Sequence, residues 1–107
     1  MPEALAEKAI ALHQKGEPFK VTIFSGASTG DDCDGVLARA HAIDRRMPYQ
    51  SNPSLRQEIN LGAIQYRDEH LGSMAHMVRS GALERPTLAL IECIAVTPEG
   101  KVYLSSS

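Results

Sequence analysis

Residues 21–35 read Val-Thr-Ile-Phe-Ser-Gly-Ala-Ser-Thr-Gly-Asp-Asp-Cys-Asp-Gly, an apolar, β-branched stretch that runs through a turn of small residues into the start of a helix. A strand handed over to a helix in this way is the building unit of an α/β fold. The turn also suits a ligand. Gly26 and Gly30 permit φ > 0 and close backbone approach, Ala27 keeps the turn small, and Ser28 and Thr29 offer hydroxyls beside free amide N–H groups. In an open parallel sheet, ligands bind between the carboxyl end of a strand and the amino end of the next helix. A tight βα connection, with Ser28 merely satisfying the following helix, explains the same residues, and the turn by itself leaves both readings open.

The rest of the chain alternates in the same manner. Leu5, Ala9 and Leu12 share one stripe of a predicted helix over 3–15, which Gly16 stops. Phe19 to Phe24 reads as a strand after Pro18. Residues 32–42 are rich in alanine, with Val36, Leu37 and Ala40 apolar, and predict a second helix whose first turn Gly35 weakens. Pro48 forces Met47 into extended geometry, so Ile43 to Tyr49 is a short strand or connector. Asn52 is placed to cap a helix that has Pro53 at its first position and Leu55 and Ile59 on one stripe up to Gly62. A brief strand over Ala63–Tyr66 and a helix over Glu69–Ser80, closed by Gly81, follow. Leu88 to Val96 is the longest apolar run and predicts a strand buried on both faces. Pro98-Glu99-Gly100 then makes a turn from which Lys101 to Leu104 returns as a hairpin.

Strands alternating with helices imply an open, mostly parallel α/β sheet with right-handed crossovers. The ends suggest an incomplete domain: a helix opens the chain with no strand before it, and Ser105-Ser106-Ser107 follows directly on a strand. A piece of a larger α/β protein, or one layer that needs a partner over its exposed sheet, is expected.

Composition removes several classes of function. The chain has 107 residues and a net charge of -2 with no basic stripe, so no nucleic-acid partner is expected. No apolar run approaches the roughly 18 residues of a membrane span, and no charged-then-apolar leader opens the chain. No membrane partner and a cytoplasmic location are therefore expected. Cys33 and Cys93 are too few for a disulfide framework and read as free thiols.

Five segments in matching order carry a resemblance. They are Ser-Gly-Ala-Ser-Thr-Gly at 25–30, Arg46-Met47-Pro48-Tyr49-Gln50-Ser51, Leu55-Arg56 with Ile59-Asn60-Leu61-Gly62, Asp68 with His70-Leu71, and Ile91-Glu92 with Val96-Thr97-Pro98-Glu99-Gly100. Over nearly its whole length the chain resembles the amino-terminal domain of the acetyl-CoA hydrolase/transferase family, which includes succinyl-CoA:acetate, propionyl-CoA:succinate and 4-hydroxybutyrate CoA-transferases. The resemblance implies a CoA-transferase-like fold of which residues 1–107 are an interior part of the first domain. It also implies a Gly-rich strand-turn before the first helix and a Gly-Asn segment after Ser107 in longer relatives. Coenzyme A is then a substrate, with no tightly bound cofactor, and the partners are an acyl-CoA, a small carboxylic acid and the remainder of the enzyme or another subunit. A homo-oligomer is also possible where sheet edges are open.

In such enzymes a glutamate of the second domain attacks the thioester, giving a mixed anhydride and then a glutamyl-CoA thioester that a second acid resolves. No catalytic residue is therefore expected within this segment, which alone should be inactive. Its share is the substrate site: Gly26, Ala27, Ser28, Thr29 and Gly30 as donors, with Tyr49, Gln50 and Ser51 opposite. The alternative is a standalone, non-catalytic module that keeps only an anion-binding strand-turn-helix.

Other polar residues have plainer readings. Glu92 interrupts the Leu88–Val96 run and, if buried, must be hydrogen-bonded; a structural role is expected rather than that of nucleophile. Asp31, Asp32 and Asp34 lack the downstream Gly and Glu of a calcium loop and read as acids at a helix start, so no metal is expected. His70 and His76 fall on different sides of a helix and cannot make an i, i+4 pair; Asp68 and His70 could brace the pocket. Arg45 and Arg46 could meet an acid or a phosphate, or simply be solvated or salt-bridged, and Met74 and Met77 read as core.

Overall fold

A computed structural model describes residues 2–25, 31–48 and 52–105. In chain order these form α1 (Pro2–Gln14), β1 (Val21–Ser25), α2 (Asp34–Arg39), β2 (Ile43–Pro48), α3 (Pro53–Asn60), β3 (Gln65–Tyr66), a 3-10 turn (Leu71–Ser73), α4 (Met74–Ser80), β4 (Cys93–Val96) and β5 (Val102–Leu104). The chain divides into two units, Met1–Ala75 and His76–Ser107.

In the first unit β1, β2 and β3 make a parallel sheet in that order. Parallel neighbours need a crossover, and α2 and α3 supply it, so the α/β class expected from the alternation is what the chain adopts. α2 packs against both α1 and α3, which places the three helices in one layer. Five of the nine buried core residues, Ala6, Ala9, Ala38, Ala40 and Ala42, are alanines, joined by Leu37, Ile43, Leu55 and Ile64. Small side chains let the helices come close. This shifts the buried stripe of α1 to Ala6 and Ala9 and leaves Leu5 and Leu12 half-buried, instead of the expected Leu5, Ala9 and Leu12.

Helix ends follow one pattern. After α2 the His41 amide donates to the Ala38 carbonyl and the Ala42 amide to the Leu37 carbonyl, both at 2.9 Å, the paired bonds of a Schellman motif. α1, α3 and α4 close in the same way on Gly16, Gly62 and Gly81, each with positive φ. α2 closes on His41 instead, at φ 50°. It is consequently shorter than the alanine content over 32–42 predicts, because the left-handed residue stops it at Arg39.

A bulge shapes the central strand. Val21 pairs with Ile43, but Thr22 pairs with Arg45, so β2 holds one extra residue at Asp44. An extra residue reverses the alternation of faces. Ile43, in the core, and Arg46, bonded to α2, thereby come to the same side of the sheet.

In the second unit β4 and β5 pair antiparallel. The turn between them is closed by the Gly100 amide donating to the Thr97 carbonyl at 2.9 Å and the Lys101 amide to Thr97 Oγ1 at 3.2 Å. The expected hairpin is present. The expected strand from Leu88 is not: β4 begins at Cys93, and all four of its residues are exposed. Burial on both faces requires a layer on each side, and among the described residues this unit has a two-stranded ribbon and a short helix. Glu92 is likewise exposed, so no buried carboxylate needs a partner there. Met74 and Met77 are half-buried. Among the described residues no helix is long and apolar enough to cross a membrane.

Candidate functional site

Gly26, Ala27, Ser28, Thr29, Gly30, Tyr49, Gln50 and Ser51 lie outside the described residues. The elements that hold the ends of both segments are described. β1 ends at Ser25 and β2 at Pro48, and these two residues pair in the parallel ladder. β1 and β2 therefore end side by side on the carboxyl edge of the sheet, the edge where ligands bind in sheets of this kind.

The chain rejoins the described structure at Asp31 and at Asn52, and these residues are bonded to each other. Asn52 Nδ2 donates to Asp31 Oδ1 at 2.9 Å. The other end of the same amide caps α3, with Oδ1 accepting from the Leu55 amide at 3.0 Å. Pro53 follows at the first helical position, as the sequence predicts. The Asn52 side chain is buried to 1% exposure, so its polar atoms require such partners.

Asp31 is held from three sides. Its Oδ2 accepts from Arg39 Nη1 at 2.6 Å, while Oδ1 lies where a side chain on Gly35 would stand: a Cβ there would meet it at 1.7 Å. Gly35 is thus less a weakness in the first turn of α2 than the space into which the carboxylate fits. The Asn52 amide and then the Arg39 guanidinium hold the Asp31 carboxyl below its ordinary pKa.

Deeper in the unit, Arg46 and Asp34 form a buried ion pair. Arg46 Nη2 donates to Asp34 Oδ2 at 3.0 Å and Nε to Asp34 Oδ1 at 3.2 Å. Arg46 Nη1 also donates to the Met47 carbonyl at 2.6 Å, next to the end of β2. The pair joins α2 to the end of β2. Asp34 is therefore more than the helix-start acid expected, and Arg46 meets an acid, one of the readings its sequence allowed; Arg45 contacts Gln65. Cys33, half-buried before α2, has its thiol pKa pushed up by burial first and by the Asp34 charge second.

His70 and Asp68 serve local structure. His70 Nδ1 accepts from the Gly72 amide at 3.2 Å and caps the 3-10 turn, and Asp68 accepts from the Tyr66 hydroxyl at 3.4 Å. Among the described residues no three His, Cys, Asp or Glu side chains converge as metal ligands. Asp34 and Asp31 at this edge are both engaged by basic or amide partners. Sequence reasoning singled out residues 26–30 and 49–51 and missed the Asp31–Asn52 and Asp34–Arg46 bonds. The available signal for the first was an acid directly after residue 30 and an amide directly after residue 51.

Comparison with known proteins gives a family match over residues 1–107, to the acetyl-CoA hydrolase/transferase N-terminal domain. The chain is 43% identical over 106 residues to a succinyl-CoA:acetate CoA-transferase of Clostridium kluyveri, covering 99% of this chain and 19% of that protein. It is 38% identical over 106 residues to a propanoyl-CoA:succinate CoA transferase of Escherichia coli, covering 99% of this chain and 22% of that protein. An acetyl-CoA hydrolase of Schizosaccharomyces pombe is 30% identical over 113 residues, with 100% of this chain and 22% of that protein covered. The chain spans about a fifth of the length of these relatives.

Proposed function

Since the chain belongs to the acetyl-CoA hydrolase/transferase family by its match to that family's amino-terminal domain, we propose that it forms part of an enzyme that moves CoA between an acyl-CoA and a small carboxylic acid. The observation that supports this reading is the register of Ser25 with Pro48, which ends β1 and β2 side by side on the carboxyl edge of the sheet.

In this reading Ser28 and Thr29, with neighbouring backbone N–H groups, donate hydrogen bonds to the substrate carboxylate or thioester oxygen. A carboxylate that leaves water needs such donors, and donors fixed before the reaction favour the oxyanion that forms when a thioester is attacked. Gly26, Ala27 and Gly30 let the backbone approach, and Tyr49, Gln50 and Ser51 line the opposite wall. The nucleophile is a glutamate outside this chain, carried by the remainder of the enzyme or by another subunit. It attacks the acyl carbon and expels the CoA thiolate. That thiolate then attacks the glutamyl anhydride, releasing the first acid, and the second acid takes the acyl position by the reverse steps. CoA enters and leaves as substrate, and no bound cofactor is required. The reading places the enzyme in the cytoplasm, where free thiols such as Cys33 and Cys93 stay reduced.

The test uses the intact polypeptide that carries this segment. Acyl-CoA without an acceptor acid is expected to leave a covalent CoA adduct on the intact protein and none on residues 1–107. Ser28→Ala is expected to lower turnover on the order of 10²-fold, the cost of removing one preorganised donor, with the protein still folded. Wild-type turnover in that variant would return Ser28 to a purely structural role, and an adduct on Glu92 would overturn the assignment of the nucleophile.

A further inference from the structure

After β3 the chain leaves the sheet at its carboxyl edge. Tyr66 pairs with Arg46 in the parallel ladder, and the Arg67 amide donates to the Arg46 carbonyl at 3.2 Å, so residues 67–70 start beside the end of β2. The side chains of this connection are tied to near neighbours. Arg67 Nε donates to Glu69 Oε1 at 2.6 Å, the Tyr66 hydroxyl to Asp68 Oδ1 at 3.4 Å, and the Gly72 amide to His70 Nδ1 at 3.2 Å. His70 differs from the others in having a second ring nitrogen. An Nδ1 that accepts a hydrogen bond holds no proton, so the proton of the neutral imidazole sits on Nε2. The residue is exposed, and its hydrogen bond among the described residues is the one at Nδ1. The cap thus fixes the tautomer and leaves the Nε2–H donor unused. Leu71 follows, apolar yet 49% exposed. Capping explains neither feature, since a serine, asparagine or aspartate caps with a shorter side chain.

A neutral N–H donor next to apolar surface suits a carbonyl carried on an aliphatic chain. A free carboxylate suits it less, because Asp68 and Glu69 stand in the same short connection and like charges repel. The pantetheine arm of an acyl-CoA has the required chemistry, with amide carbonyls alternating with short aliphatic stretches. We propose that His70 and Leu71 form a contact for this arm, in which His70 Nε2–H donates to an amide carbonyl and Leu71 covers the adjoining methylenes. The inference rests on the assignment of acyl-CoA as substrate given above. Neither residue touches the reacting thioester. A contact of this kind binds ground state and transition state alike, so it acts on KM and not on kcat.

The experiment uses the intact polypeptide. His70→Asn separates the two nitrogens: the asparagine oxygen takes over as acceptor for the Gly72 amide, and the Nε2 donor is lost. The KM for acyl-CoA and the inhibition constant of free CoA, which carries the same arm, are both expected to rise about three- to tenfold, the worth of one neutral hydrogen bond. The KM for the acid and the urea midpoint are expected to stay at their wild-type values. Leu71→Ser is expected to raise the same two constants. If His70→Asn lowers the urea midpoint, Leu71→Ser decides by those constants, since it leaves the capping side chain in place. An unchanged KM for acyl-CoA in a stable His70→Asn overturns the proposal and reduces His70 to a cap. A rise for acyl-CoA without one for free CoA overturns it by moving the contact to the acyl end, and a rise for the acid alone overturns it as well. Wild-type protein that transfers no CoA sinks the acyl-CoA reading itself, whereas transfer with wild-type constants in both variants sinks this contact alone.

Discussion

The Arg46 guanidinium on β2 closes on the Asp34 carboxylate of α2 at 3.0 Å, with the two side chains at 0% and 1% exposure. Removing both charges from water is costly, and their attraction offsets that cost only while both are present. Arg46 also reaches the Met47 carbonyl, so a shortened side chain leaves a charge and a carbonyl without this partner. Asp34→Ala or Arg46→Ala is expected to lower unfolding stability by about 3–5 kcal/mol, read from the urea midpoint. Arg46→Lys does not restore it, because an ammonium cannot engage both carboxylate oxygens as the guanidinium does. Asp34→Leu with Arg46→Met should recover much of the loss, since no unpaired charge remains. A double variant as unstable as the sum of the singles would contradict this account.

His41 holds the position that glycine holds at the ends of α1, α3 and α4, with φ 50°. A Cβ is strained in that region, and the compensating contact is slight: His41 Nδ1 lies 3.6 Å from Glu58 Oε2 with the imidazole 64% exposed. Pairs this open to solvent contribute little. His41→Gly is therefore expected to stabilise the protein by about 0.5–1 kcal/mol, net of the backbone entropy glycine loses on folding, and His41→Val to destabilise it. A lower urea midpoint for His41→Gly would mean that the imidazole makes a contribution its geometry does not reveal.

The same residue marks where the sequence stops being readable. α3 was legible because Asn52, Pro53 and Leu55 carry a cap, a start and a buried stripe within a few positions, and the hairpin because Pro98-Glu99-Gly100 interrupts a β-branched run. Both are local signals. The end of α2 was not legible, since a histidine in the left-handed region leaves no mark in composition. Nor was the bulge at Asp44, which sets Arg46 on the face of Ile43 against simple alternation. The apolar run from Leu88 suggested burial because hydrophobicity alone says nothing of whether a covering layer exists. Near the candidate site the Asp31–Asn52 and Asp34–Arg46 pairs were not legible, because they join positions that only the crossover brings together.

The Asp31 carboxyl is held below its ordinary pKa, first by Asn52 and then by Arg39. A carboxyl with a lower pKa folded than unfolded contributes stability that is complete above the unfolded value, about 3.9, and is lost as pH falls through the folded value. The stability difference between the wild type and Asp31→Ala is accordingly expected to stay constant from about pH 7 to 5 and to narrow below about pH 4. Urea unfolding across that range, monitored by circular dichroism, reads it. A difference that widens in acid would show that Asp31 favours the folded state in its protonated form.

The second unit leaves Leu88, Leu90, Ile91, Ile94, Val96, Val102, Tyr103 and Leu104 each at least 47% exposed. A two-stranded ribbon has an unpaired edge on either side, and edges lined with apolar side chains recruit other chains. Residues 1–107 alone are expected to self-associate with rising concentration. Ile94 is the place to interfere. Cys93 pairs with Leu104 and Ala95 with Tyr103, so Ile94 is the extra residue of a bulge, and it is 77% exposed. A charge there breaks the apolar surface without removing a ladder partner. Ile94→Lys should lower the average mass in sedimentation at equal concentration while the strand signal in circular dichroism persists. An unchanged mass distribution would move the cause of association to another surface, and loss of the strand signal would mean that the bulge depends on an apolar side chain at its tip.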